Sequence, residues 1–253
     1  MKGIASYLAV IGLFAAVTAT PAPAQVYSSN IVGFANIPIF SGLNWLGNPF
    51  DSPPNQLSAL IPTAPEGATV SLWDSTLNLF TSTVTYSMGF GWSSDLTLNP
   101  GTGFQLDSPS SFTNTYAGTA LDFDGSGWGG GVMPSPFSGS SGYYLLSSKA
   151  PIALTGNVFN TGVGPFSVFQ AIIGRNPLAG ESVTTLDAAT QTYFTTTWNG
   201  SAWDNGAPSL AVGQSAMFNI GPVPEPSTLG LLALALGVLW LVRRYRRVGS
   251  VRA

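Results

Sequence analysis

The chain of 253 residues contains no cysteine and no histidine. Without cysteine it forms no disulfide, thiol nucleophile or zinc–thiolate site. Without histidine it lacks the Ser-His-Asp and Cys-His nucleophile systems, the usual general base near neutral pH and the commonest metal ligand. Catalysis by paired carboxylates stays open, as in glycosidases and aspartic proteases. We therefore expect a protein that is not an enzyme and binds no cofactor.

Charged residues are also scarce, at 8% of the chain against roughly 25–35% of a typical soluble surface. Six of the eight basic residues lie near the two termini. The body between residues 25 and 226 keeps only Lys149 and Arg175 against eleven acidic residues, a net charge of −9. Such a surface offers no electrostatic footprint for nucleic acid. A surface with few charged residues, in which Ser, Thr, Asn and Gly supply the polarity, fits an extracellular matrix.

The first 24 residues have the pattern of a secretory signal peptide. Lys2 precedes an uncharged stretch from Ile4 to Val17, and the small residues Ala22 and Ala24 come before Gln25. A basic start, a short apolar core and a small-x-small exit are the features that signal peptidase reads. We expect cleavage after Ala24.

The last thirty residues hold the most specific pattern in the chain. Pro224, Glu225 and Pro226 precede an uncharged apolar run, Leu229 to Val242. A basic cluster follows at Arg243, Arg244, Arg246 and Arg247. These three parts, in this order, resemble the PEP-CTERM sorting signal of Gram-negative bacteria. The resemblance implies that the protein is exported and then processed by a membrane enzyme, exosortase.

Charge placement predicts the topology of the precursor. Lys and Arg collect on the cytoplasmic flanks of membrane segments, which predicts the N-terminus in, the body out and the C-terminus in. The 14 residues from Leu229 to Val242 are fewer than the about 20 of a full span. We expect a short transmembrane helix that anchors the precursor temporarily in the inner membrane. A permanent tail anchor is the alternative, since hydropathy does not separate the two.

Three blocks of the body recur in the same order, which predicts an internal duplication. The matched pairs are Gly42–Leu46 with Gly142–Leu146 at an offset of 100, Glu66–Val70 with Ala179–Val183 at 113, and Leu98–Gly103 with Leu210–Ser215 at 112. The change of offset places an insertion around Gly164–Arg175. The predicted organisation is a signal peptide (1–24), unit one (25–120), a linker (121–141), unit two (142–222) and the sorting signal (223–253).

The residue pattern predicts a mainly all-β fold, with two related β-rich units in tandem between the signal helix and the transmembrane helix. Alternating and β-branched segments indicate strands in each unit. Trp198-Asn199-Gly200-Ser201 predicts a hairpin with a type I′ turn, and its counterpart is Tyr86–Trp92. Short helices are expected within Asn55–Ile61 and Pro165–Ile173.

The linker contains a string similar to calcium-binding loops. Asp122 and Asp124 alternate before Gly125, as carboxylates do around a calcium ion. The EF-hand loop also needs a bidentate Glu at its twelfth position, where this chain has Met133. The pattern therefore favours an Asx turn in a flexible linker, with calcium as the alternative.

The start of the mature chain resembles a module of exported proteins of Gram-negative bacteria. The resemblance rests on Val26–Phe34, Gly47–Phe50, Gly91-Trp92 and Pro100–Phe104, and it covers residues 26–118. The module has no assigned activity, so the resemblance implies an extracellular β-rich unit.

Two sets of residues are candidates for a site in the body. Asp74 and Asp187 are acidic at matched repeat positions, which suits either an acid/base pair or two separate turns. Trp92, Trp128 and Trp203 adjoin Gly- and Asp-rich turns, where an exposed indole stacks on a sugar ring. Packing between strands explains the same residues.

The sequence thus predicts an exported, exosortase-processed surface or extracellular-matrix protein without catalytic activity. The PEP-CTERM resemblance implies an association with exopolysaccharide. A secreted carbohydrate-binding module is the first alternative. A glycan-active enzyme is the second, and it requires two carboxyl groups about 5–10 Å apart.

Overall fold

The computed structural model describes residues 32–121, 137, 140–154 and 167–222. The predicted mainly-β fold is confirmed for these residues, and the predicted signal helix and transmembrane helix lie outside them. The strands are β1 (Val32–Ile39), β2 (Gly42–Gly47), β3 (Thr69–Asp74), β4 (Leu79–Ser87), β5 (Gly91–Trp92), β6 (Gly103–Ser108), β7 (Phe112–Thr119), β8 (Gly142–Ser147), β9 (Ser182–Asp187), β10 (Thr192–Thr197) and β11 (Ser215–Ile220). The helices are α1 (Leu57–Leu60) and α2 (Val168–Ile173).

Two antiparallel sheets carry the fold. Sheet one has the order β2-β6-β3-β4-β5, sheet two has the order β8-β11-β9-β10, and β1 and β7 form a separate two-stranded ribbon. The first four strands of sheet one therefore correspond in order to the four strands of sheet two: β2 to β8, β6 to β11, β3 to β9 and β4 to β10. Their registers also agree, since β2–β6 starts at Gly42↔Ser108 and β8–β11 starts at Gly142↔Ile220. The duplication stays a prediction, and these matching registers support it.

A β-bulge accounts for one of the offset changes seen in the sequence. The β3–β4 register shifts between Val70 and Leu72, whereas the β9–β10 register runs without interruption from Asp187 to Ser182. Ser82, with a φ of 53°, is the extra residue in β4. Its insertion changes the offset between the units from 113 at Asp74 to 112 beyond it.

Each sheet buries one face against its own unit. Alternate residues of a strand point to opposite faces, and on the inner face of sheet one Val70, Phe104 and Leu106 are fully buried beneath α1 and the β1–β7 ribbon. On the corresponding face of sheet two, Val183, Ala216 and Phe218 are buried against α2. The two units therefore have separate cores.

The opposite faces of the two sheets pack against each other. A third apolar cluster forms there from Trp45 of unit one and Leu145 and Leu186 of unit two. Leu43, Trp73, Phe80 and Met217 surround it. The result is a layered sandwich in which this cluster joins two sheets that each cover a core of their own.

The joint between the units has approximate two-fold symmetry. Leu46 bridges Gln214 and the counterpart Leu146 bridges Thr102. The Gly47 N–H donates to the Gly213 carbonyl at 2.9 Å, and the Ser147 N–H donates to the Gly101 carbonyl at 3.0 Å. Each contact thus occurs twice with the roles of the units exchanged, as in an isologous dimer. The axis passes between Gly47 and Ser147, where a Cβ on Gly47 would overlap the Ser147 side chain.

Both expected hairpins are present, and one turn differs from its prediction. Tyr86 pairs with Trp92 and Trp198 with Trp203, with ring centroids 5.3 Å and 5.4 Å apart. The type I′ assignment was wrong, because Gly200 has a positive φ of 104° and Asn199 does not. Instead, the Asn199 side-chain oxygen accepts from the N–H groups of Ser201 and Ala202, both at 2.9 Å. The turn is therefore closed by an Asx side chain.

A short helix lies within each range that the sequence predicted. The Ser167 hydroxyl caps α2 by accepting from the Gln170 N–H at 3.1 Å, and Gly174 ends it in the left-handed conformation at a φ of 81°. These are standard start and stop signals.

Candidate functional site

The last described strand of the body ends directly before the predicted sorting signal. β11, a central strand of sheet two, ends at Ile220. The next N–H, of Gly221, donates to the Glu181 carboxylate at 2.8 Å. The Glu181 carboxylate also accepts from the Leu178 N–H at 2.7 Å and from both terminal nitrogens of Arg175. Glu181 is only 1% exposed, so a buried carboxylate with four hydrogen bonds holds the residue that directly follows β11.

Arg175 is held from a second side as well. Its guanidinium carbon lies 5.5 Å from the centroid of the Phe169 ring, a cation–π distance. Within the described residues, the bond to Glu181 is the one ion pair.

The residues predicted for sorting and processing lie outside the described residues. This applies to Pro224, Glu225 and Pro226, to Arg243, Arg244, Arg246 and Arg247, and to Ala22 and Ala24 of the signal peptide. Trp128 and the calcium candidates Asp122 and Asp124 also lie outside. For the residues that are described, no helix is long and apolar enough to cross a membrane.

The two described tryptophans of the sugar-stacking hypothesis pack inside their units. Trp203 is 8% exposed and lies against Phe169 and Trp198. Trp92 is half-buried against the apolar core of unit one, and its Nε1–H donates to the Ile61 carbonyl at 2.8 Å. Both indole rings therefore pack against other side chains of their own unit, which is the alternative to sugar stacking that the sequence left open.

Asp74 and Asp187 occupy matched positions, and each carboxylate bonds within its own turn. Asp74 accepts from the N–H groups of Thr76 and Leu77 at 2.8 and 3.0 Å. Asp187 accepts from those of Ala189 and Thr190 at 3.0 and 3.4 Å. Hydrogen bonding to the Thr190 side chain, followed by the Ala189 N–H, lowers the pKa of Asp187. Both residues thus close Asx turns at the ends of β3 and β9.

An open cleft of about 550 Å³ lies at the joint between the units. It is lined by β1, by Asn44–Leu46 of β2, by the end of β9 and by the loop before β11. Among the described residues that line it, Asp187 is the only charged one. The amide of Gln214 is already used, since it accepts from the Ala211 N–H and donates to the Leu186 carbonyl, both at 3.1 Å. The cleft therefore brings together turn and joint residues and contains no pair of carboxylates.

The described residues contain no group of three or more acidic side chains that could hold a metal ion. Several of their carboxylates instead accept hydrogen bonds from backbone N–H groups. Asp204, for example, bonds the backbone of β10, and the Thr197 N–H lowers its pKa.

Comparison with known proteins identifies the tail. Residues 222–247 match the family described as the PEP-CTERM protein-sorting motif. The predicted PEP-CTERM signal is therefore confirmed, and the motif implies export, a membrane-anchored precursor and processing by exosortase. No curated protein and no solved structure matches the chain.

Sequence reasoning missed the side chains that tie the elements together. Glu181 was assigned to a repeat block and Arg175 to the edge of an insertion, although one ion pair joins them. Their opposite charges six residues apart, in a body with only two cations, were the available signal. Gln191 was also missed, and nothing in its local sequence indicates that its amide bonds the backbone of Leu43.

Proposed function

We propose that this chain is an exported, exosortase-processed protein of the cell surface or extracellular matrix, without catalytic activity. The observation that carries the proposal is the sorting motif at residues 222–247. The precursor is held in the inner membrane with its body outside and its C-terminus in the cytoplasm, as the arginine cluster favours.

The chemistry of the body supports a non-catalytic role. The chain has neither cysteine nor histidine, and the matched carboxylates Asp74 and Asp187 are each bonded to backbone N–H groups of their own turn. A general base needs a carboxylate that reaches substrate and is poised near the working pH. The lowered pKa of Asp187 makes that carboxylate a weaker base.

The test of processing is intact-mass analysis of the product from the native host and from an exosortase-null strain. The expected product of the wild-type strain lacks Arg243–Ala253, and the null strain retains them. A variant with Pro224, Glu225 and Pro226 replaced by alanine should also retain Arg243–Ala253 in the wild-type strain, at the mass calculated for the substituted chain. Retention of Arg243–Ala253 in the product of the wild-type strain would contradict the proposal and show that the tail is a permanent membrane anchor.

A further inference from the structure

One face of the β1–β7 ribbon is largely exposed. On β1, Val32 is 76% and Phe34 is 74% exposed on this face, whereas Ile37 and Ile39 on the opposite face are buried in the core of unit one. Because side chains alternate between the two faces of a strand, the exposed ones form a single row. This outer row of β1 consists of Val32, Phe34, Asn36 and Pro38.

The outer row is uncharged, and so are the residues beside it on β7. Its members pair in register with Thr119, Ala117, Thr115 and Thr113. The Thr115 hydroxyl donates to the Asn36 side-chain oxygen at 2.7 Å, which orients that amide. In the part of the chain that the structure describes, the Asn36 amide nitrogen has no acceptor. Its N–H groups can therefore donate to a ligand.

The outer row leads into the cleft at the joint between the units. Asn36 and Pro38 belong to both, and Phe40, which follows β1 directly, also lines the cleft and is 38% exposed. Gly213 lets the two units meet at this point, because a Cβ on it would overlap a side chain of β1. Row and cleft therefore form one continuous surface, on which Phe34 and Phe40 are at most about 20–22 Å apart along the chain.

The wall across the cleft adds hydrogen-bonding groups from unit two. Both backbone N–H groups that bond the Asp187 carboxylate donate to its Oδ1. A carboxylate has about four acceptor sites, so Asp187 can also accept from a ligand. Ser209 lines the same wall with an exposed hydroxyl. The surface thus offers apolar rings together with a free donor and a free acceptor.

Charge and shape together select the class of ligand. Asp187 is the only charged residue among the described residues of the row and of the cleft lining, and the body carries a net charge of −9. These charges disfavour anionic polymers, anionic lipid surfaces and a second copy of the chain. A sugar ring has apolar C–H groups on its face and hydroxyls at its edge, and each hydroxyl both donates and accepts. Exposed aromatic rings beside a few hydrogen-bonding groups match that combination.

We propose that the outer row of β1 and the cleft together bind one neutral polysaccharide chain. Phe34 and Phe40 contact the apolar faces of its sugar rings, while Asn36 and Asp187 bond its hydroxyls. The proposal names a partner for the matrix protein of the proposed function and rests on that function, since export brings the site to extracellular polymers. Binding is nevertheless measured apart from processing, because no residue of the site lies within the sorting motif at residues 222–247.

The test is affinity gel electrophoresis of the protein from the native host, in the processing state that intact-mass analysis finds. The native gels contain galactomannan, hydroxyethyl cellulose or the neutral polysaccharide fraction of the host, with alginate as the anionic comparison. Retardation by at least one neutral polymer is expected, and alginate should cause none. Because no ion pair forms with a neutral polymer, added NaCl should change the retardation little.

Substitutions separate this site from unspecific adhesion. Phe34→Ala and Phe40→Ala should each weaken binding roughly 2–10-fold, as expected for one aromatic contact, and Phe34→Tyr should keep it. Asp187→Asn should also weaken binding while its turn persists, since Asn closes the same kind of turn. Phe90→Ala is the matched control, because Phe90 is 95% exposed but lies between β4 and β5, outside the row. A thermal unfolding curve of each variant shows whether the fold is retained.

The proposal is overturned if none of the neutral polymers retards the wild-type protein, or if Phe90→Ala loses as much binding as Phe34→Ala. Phosphatidylcholine vesicles provide one more comparison, and capture by them in place of the neutral polymers would assign the row to a lipid surface instead. Binding by a product that retains Arg243–Ala253 would support this site and contradict the proposed processing. A processed product that binds no neutral polymer would do the reverse.

Discussion

Replacing Glu181 by alanine should cause a large loss of stability, because four bonds converge on its carboxylate. The change leaves the N–H groups of Leu178 and Gly221 without their acceptor and leaves Arg175 without its partner. Removing one member of a buried ion pair costs about 3–5 kcal/mol. The Glu181 side chain is 1% exposed, whereas the Arg175 side chain is 26% exposed. Water can therefore partly hydrate the unpaired guanidinium, which favours the lower end of this range. We therefore expect about 3 kcal/mol in the free energy of unfolding.

For a body of this size, each kcal/mol lowers Tm by about 2–4 °C, so Glu181→Ala should lower it by roughly 6–12 °C. The measurement is thermal unfolding of the processed body at neutral pH. The double variant Arg175→Ala with Glu181→Ala should lose less than the sum of the single variants, because no unpaired charge is left. A Tm within about 2 °C of the wild type for Glu181→Ala would show that this network does not hold the end of the fold.

Two other predictions concern the joint and the carboxylates. Gly47→Ala should destabilise the body, because the new Cβ overlaps Ser147, and adding Ser147→Gly should restore most of the lost Tm; no restoration would refute the symmetric joint. The pKa values of Asp187 and Asp204 are lowered from their usual 3.8 in the folded state. The two ionised carboxylates therefore contribute fully to the stability of the fold above pH 3.8, and this contribution is lost as the pH falls through their lowered pKa values. Acidification from about pH 6 to about pH 3 should therefore lower Tm more in the wild type than in Asp187→Asn with Asp204→Asn, and equal losses would contradict the assignment.

The strand pattern of the body was predictable because it depends on local alternation. Val70 lies in a segment where alternation indicated a strand, and Val183 lies in the matched repeat block. Both are fully buried, in the corresponding strands β3 and β9. The hairpins at Tyr86–Trp92 and Trp198–Trp203 were visible from their flanking aromatic residues. Such features need only neighbours within a few residues.

Contacts between distant segments were not predictable in the same way. The amide of Gln191 bonds Leu43, 148 residues away, and no local pattern encodes such a pair. The bulge at Ser82 appeared in the sequence only as a one-residue change of offset, which a single insertion anywhere in the segment explains equally well. The exposure of Trp92 and Trp203 likewise depends on how the hairpins close over α1 and α2.

The position at which β11 ends limits how an enzyme reaches the sorting motif. The Gly221 N–H bonds the Glu181 carboxylate, and Leu229, where the apolar run begins, lies only eight positions further along the chain. Eight extended residues reach at most about 26–29 Å. In the membrane-anchored precursor that the motif implies, the C-terminal end of β11 therefore lies within this distance of the start of the apolar run. An enzyme that cuts between Gly221 and Leu229 has at most this distance between the end of β11 and the start of the apolar run in which to place its catalytic groups.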